Sequence, residues 1–199
     1  ALDPRITFTR ASTATFVGSN GLIQTAASGA PRFDHNPATG ESLGLLVEEA
    51  RTNNVISSEN FGTGTLNSPA GLTVINNSAV APNGSMTACL LQESALDEVR
   101  YLQSSTLNLW ITSTKTATIY VKAAGRTRCI FGGGAGNSRA NINVDLTNGT
   151  YISSINGTYW SNVNFSVTSV GGGWWRLQVT GLSTRGADLL YVMPTTRTT

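Results

Sequence analysis

The chain has 199 residues, enough for one large or two small domains with a hydrophobic core. Only 12% of its residues are charged, against roughly 25% in an average soluble domain, and it holds two lysines; Ser, Thr, Asn and Gly take their place, a composition of strands and turns that leans all-β. The net charge of +2 is not gathered into a basic face, which argues against nucleic-acid binding, and no apolar run approaches the roughly 18 residues of a membrane span, which argues against membrane insertion.

The opening "ALDPRITF" has neither the basic nor the apolar region of a signal peptide and no initiator Met, so it reads as a processed or trimmed start. A series of hairpins follows. "ITFTR" (6–10) alternates apolar and polar residues. "ATFV" (14–17) and "LIQTA" (22–26) flank Asn20-Gly21, a strong hairpin signal. "PRFDH" (31–35) then returns through "NPATGES" as "LGLLVE". Residues 1–55 are thus expected to form a β-hairpin region, and the Asn-, Ser- and Gly-rich text from 54 to about 80 reads as a linker into a second unit, 56–199.

In that second unit "SMTACLLQES" (85–94) fits a strand, and "SALDEVRYLQ" (94–103) is either one short helix or a loop entering a strand. From there the period is two. Ala117, Ile119 and Val121 oppose Thr118, Tyr120 and Lys122; Ile142, Val144 and Leu146 oppose Asn141, Asn143 and Asp145; Val163, Phe165 and Val167 share a face; Trp175, Leu177 and Val179 oppose Trp174, Arg176 and Gln178. "LTNGT" turns the chain at Asn148-Gly149 into "YISSI". Short alternating strands separated by turns imply a β-sandwich or barrel, with one face of each sheet inside and one wet.

Few residues offer catalysis. His35 is alone in the chain and reads as a solvated turn residue beside Asp34. Glu48 and Glu49 are adjacent in an extended stretch, so they face opposite ways and cannot form a glycosidase acid pair; Asp97 and Glu98 share the defect. One of the glutamates is expected to meet Arg51, Arg32 or an arginine of a neighbouring chain as a weak exposed pair that sets register, and Glu48, Glu49, Arg51, Arg32 and Phe33 are the candidates for a docking interface. Cys89 and Cys129 form no C-x-x-C pair and read as buried thiols, the alternative being one inter-strand disulfide. Asp145, with Asn143 and Asn148, offers oxygens for a structural Ca²⁺; the plainer reading is that they solvate the hairpin, and no other cofactor is expected. Binding has better material. Trp174 shares a face with Arg176 and Gln178, and Tyr120 with Lys122, while Trp160 follows Tyr159 in what reads as a loop; aromatic plates beside hydrogen-bonding side chains suit sugar rings. Trp175 and Trp110 read as core.

The stretch "LDPRITFTRASTATFVGSNGLIQTAASGAPRFDHNPATGESLGLLVEEARTN" resembles a block of bacteriophage head-spike and tail-fibre proteins. "AVAPNGSMTACLLQES", "TATIYVKAAG", "VDLTNGTY" and "VGGGWWRLQVTG" resemble, in that order, a jelly roll of the carbohydrate-binding-module type. The chain stops at "LLYVMPTTRTT", short of the further apolar strand that such chains often carry, which points to a differently closed sandwich or to a longer protein. The resemblance implies a non-enzymatic virion protein, assembled in the host cytoplasm. Its hairpin region would dock on capsid, neck or tail proteins, and its jelly roll would contact host-surface polysaccharide or other virion proteins. It also implies a homo-oligomer, in the manner of fibres a trimer. A glycan-binding adhesion module and a capsule depolymerase are the rival functions.

Overall fold

Alternation of small turns and short apolar runs is realised as fifteen strands in a computed structural model that describes residues 3–49, 52–55, 58–61, 66–94, 100–104, 113–185 and 188–196. Among these residues there is no helix.

Ala14–Val17 (β1) pairs antiparallel with Ile23–Ala26 (β2), and Phe33–His35 (β3) with Ser42–Leu45 (β4). The first reversal needs glycine at position 21: φ is 75°, and a Cβ there would stand 2.7 Å from the Pro37 carbonyl oxygen. In the second, Asn36 Oδ1 accepts from the Ala38 amide at 2.9 Å, an Asx turn. The two hairpins are clasped by Asp34, whose Oδ1 accepts from the Val17 amide at 2.7 Å, and by His35, whose Nδ1 lies 3.1 Å from the Val17 carbonyl oxygen. His35 is therefore a half-buried strand residue, not the solvated turn residue expected of it. Residues 6–10, though alternating, carry no strand pairing. Arg10 instead ties this segment down, its guanidinium over the Phe8 ring and donating to the Ala30 carbonyl at 2.9 Å.

The rest is a sandwich of antiparallel strands. Leu66–Ala70 (β5), Leu72–Ala79 (β6), Ala88–Glu93 (β7), Tyr101–Ser104 (β8), Lys115–Lys122 (β9), Arg128–Ala135 (β10), Ser138–Asp145 (β11), Tyr151–Asn156 (β12), Trp160–Ser169 (β13), Trp174–Ser183 (β14) and Leu189–Thr195 (β15) follow in order. One sheet runs β12-β11-β10-β15-β8-β5, a second β13-β14-β9, and β6 pairs β7. The segment read as a linker therefore holds β5 and β6, where Leu72 and Val74 pack on the core. The stretch read as a helix or a loop entering a strand ends in β8; its residues 95–99, Trp110 and Arg51 lie outside the described residues.

Register explains the core. Ile142, Phe131, Val192 and Leu102 are direct cross-strand neighbours along one row of the large sheet, each essentially without exposure. Leu177, Val179 and Ile119 of the smaller sheet belong to the same cluster. Each such side chain contributes about 1.5–3 kcal/mol by leaving water. On the outer face of the large sheet, Asn141, Gly132 and Tyr191 are also in register, and the Tyr191 hydroxyl accepts from Asn141 Nδ2 at 3.1 Å, reaching past the glycine. A Cβ at Gly132 would lie 2.3 Å from the Ala140 carbonyl oxygen, so the strand accepts no side chain there.

Both cysteines are free thiols. Cys129 is buried, and loss of solvation pushes its thiol up to about 12, which keeps it protonated and unreactive at neutral pH. Cys89 departs from the buried reading: it is half exposed, 3.0 Å from Asn76 Oδ1. The hairpin unit touches the sandwich through β2, where the Ile23 amide donates to the Pro82 carbonyl at 3.1 Å.

Candidate functional site

The outer face of the β13-β14-β9 sheet gathers a hydrogen-bonded set of polar side chains. Trp175, Leu177 and Val179 turn inward, so strand alternation sends Trp174, Arg176, Gln178 and Thr180 outward. Register sets Trp174 beside Lys122, Arg176 between Tyr120 and Thr168, and Gln178 between Thr118 and Ser166. Five of the six predicted binding residues, Trp174, Arg176, Gln178, Tyr120 and Lys122, are thereby brought together.

The face has two unlike halves. In one, polar groups satisfy each other. Ser166 Oγ donates to Gln178 Oε1 at 2.9 Å, Gln178 Nε2 donates to Thr118 Oγ1 at 3.2 Å, and the Thr116 and Thr180 hydroxyls are 2.8 Å apart. These bonds fix the Gln178 amide in one orientation. In the other half, donors stand without protein acceptors. Arg176 Nε is buried with no hydrogen-bond partner, and neither the Lys122 ammonium nor the Tyr120 hydroxyl has one among the described residues. Tyr120 is 37% exposed, and Trp174 is half-buried beside the Gly171–Gly173 turn. Lys122 runs along that turn, its Cε 3.4 Å from where a Gly173 Cβ would be. An indole with three neighbouring donors can stack on the C–H face of a sugar while bonding its oxygens.

Trp160 does not join this face. It opens β13, is 9% exposed and packs in the core against Gly181. The alternation of Val163, Phe165 and Val167 would send position 160 outward. A bulge between Ser161 and Asn164, with Asn162 at φ 52°, inserts one residue and reverses the phase.

The proposed calcium ligands face a cation that the protein itself supplies. Asp145 Oδ2 lies 3.0 Å from Arg128 Nη1, and Asn143 Oδ1 accepts from Arg128 Nε at 3.3 Å. Asp145 Oδ1 accepts from the Thr147 amide and hydroxyl; these bonds hold its carboxyl below the usual range, with the nearby Arg128 charge adding to the effect. Asn148 Oδ1 caps the Thr150 amide at 2.9 Å. These oxygens thus serve the hairpin, and among the described residues no group of three or more His, Cys, Asp or Glu is placed to hold a metal ion.

In the hairpin unit, Arg32 meets Glu48 at 2.7 Å and donates to the Thr15 carbonyl at 2.9 Å. The expected exposed pair is in fact lopsided: the Arg32 side chain is 7% exposed and that of Glu48 57%. Glu49 is exposed, and Phe33 is half-buried in β3. No protein-family model matches the chain, and no curated protein matches it.

Proposed function

We propose that this chain is a structural, non-enzymatic component of a bacteriophage particle. Its N-terminal hairpins attach to other virion proteins, and its sandwich, a jelly roll of the carbohydrate-binding-module type, holds host-surface polysaccharide. The virion role rests on the resemblance of the first 53 residues. The binding role rests on one observation: Trp174, Arg176, Tyr120 and Lys122 converge on a sheet face with their donors unspent.

A glycan array read with the wild-type chain and Trp174→Ala tests this. One stacking contact is worth about 1–3 kcal/mol by analogy with base stacking. The variant is therefore expected to lose about ten- to a hundredfold in affinity while melting as the wild type does. Unchanged binding in the variant counts against the face. Weak single-site affinity is offset by many copies on one particle.

The attachment role includes a homotrimer. Leu43, Leu45 and Val47 fall at alternate positions of an extended stretch and all three are exposed, an apolar stripe of the kind that pairs with another chain. Light scattering is expected to give three times the chain mass, and Leu43→Lys with Val47→Lys to lower it. A stable monomer before mutation defeats the trimer but leaves the glycan reading standing.

A further inference from the structure

We infer that the saccharide held by this face carries carboxylate groups, as uronic acid chains do, and that Arg176 and Lys122 receive them; this rests on the glycan reading above. Three observations converge. First, the outward positions of β9, β13 and β14 carry Lys122 and Arg176, these strands hold no aspartate or glutamate, and Lys115 shares the inward parity of Ala117 and Ile119. A neutral sugar site has no need of such one-sided charge, and a cationic ligand would be repelled.

Second, the charge is uncompensated where it meets the aromatic residues. Elsewhere in the protein arginines are engaged: Arg5 with Asp3, Arg32 with Glu48, Arg126 with Glu93, Arg128 with Asp145, Arg139 over the Tyr191 ring, and Arg10, Arg100 and Arg185 on backbone carbonyls. Among the described residues Arg176 is the one arginine with no hydrogen bond, ion pair or ring contact, and Lys122 likewise has none. Burying a guanidinium Nε without an acceptor is unfavourable unless a ligand supplies one.

Third, the two cations are fixed relative to the stacking residues. Register puts Arg176 against Tyr120 and Lys122 against Trp174, one two-residue step along the same pair of strands. A ring on Trp174 therefore has a cation on its own rung and another on the next. The planar guanidinium fork matches a carboxylate in two parallel bonds, while Lys122 acts as a point charge. The half of the face that is already internally bonded through Gln178 offers no comparable demand for an anion.

The test uses immobilised polygalacturonate, alginate and hyaluronate, each beside its methyl-esterified form, which removes the charge and keeps the backbone. The full chain is expected to bind at least one acidic polymer and to bind its ester about tenfold less. Binding should weaken as salt rises from 50 to 300 mM. Lys122→Gln, at an exposed site where folding is not at risk, and Arg176→Gln should each reproduce the loss on the acidic form and weaken the ester's residual binding less than they weaken that of the acid. Trp174→Ala should weaken both forms. Equal binding of acid and ester, with loss in Trp174→Ala, overturns the carboxylate assignment and leaves the glycan reading intact. Binding to none of the three acidic polymers overturns the assignment as well. Binding of all three, and of dextran sulfate, with no effect of Trp174→Ala would reduce the face to an ion exchanger and overturn both.

Discussion

Trp175→Ala is expected to lower folding stability by about 3 kcal/mol, the low end of the range for a core Trp truncated to alanine because this one is only partly buried. The indole has three jobs. It keeps phase with Leu177 and Val179 and packs against the core cluster. Its Nε1 donates to the Leu146 carbonyl at 2.8 Å, holding the turn that joins β11 to β12. Its ring also fills the space over Gly149, where any Cβ would come within 2.2 Å of it. Truncation opens a cavity beneath that turn and strands the Leu146 carbonyl. Trp174, the preceding residue, points the other way, and its removal is expected to shift stability by no more than about 0.5 kcal/mol. Urea melts of the two variants beside the wild type decide the matter. Similar losses in both would mean that Trp174 is packed as firmly as Trp175 and that β14 has no free outward face. Trp175→Phe, which keeps a ring but no donor, should fall between them.

Period-two text was a reliable guide wherever every second residue was apolar and no residue was inserted. β9, β11 and β14 were legible for that reason, and with them the pairing of Trp174 and Arg176 on one face. Three features hid the rest. β10 reads "RCIFGGGA", and three glycines suggest a loop; here Gly132 is required by the closeness of β11, and the Tyr191 side chain reaches past it to Asn141. Trp160, in text that reads as a loop, opens β13, and a bulge just after it reverses the strand's phase, which no alternation count can detect. β6 begins with an alternation of only three residues before the exposed run that ends it, too short to outweigh its Asn and Ser. The partnerless state of Arg176 was also invisible, because it depends on which acids the fold brings near, and none lies on its sheet.

Removing Glu48 is expected to cost more than removing Arg32, although Arg32 is the buried member of the pair. Glu48→Ala leaves a guanidinium that is almost fully enclosed, with the Thr15 carbonyl as an acceptor and Nε already lacking one. A charge-assisted bond of this kind contributes about 1.5–3 kcal/mol, and the orphaned charge adds desolvation that nothing offsets. Arg32→Met removes the charge and keeps much of the volume, while Glu48, 57% exposed, simply returns to water. Its expected cost is below about 1.5 kcal/mol, as for a shape-conserving replacement. The effect should stay within the hairpin unit, because the pair spans "PRFDH" and its returning strand, where the Leu46 amide donates to the Arg32 carbonyl at 2.9 Å. Amide hydrogen exchange at Val17 and Leu46 reports this directly. Exchange at both should quicken in Glu48→Ala and change little in Arg32→Met, with the sandwich amides unaffected in either. The reverse order would mean that the pair is held by its exposed glutamate and acts only as a surface contact. With the expected order, the glutamate that ends this strand is the counter-ion of a buried arginine. The two hairpins then reach any partner as one locked unit, since Arg32 bonds the β1 backbone through Thr15 and Glu48 closes the other side.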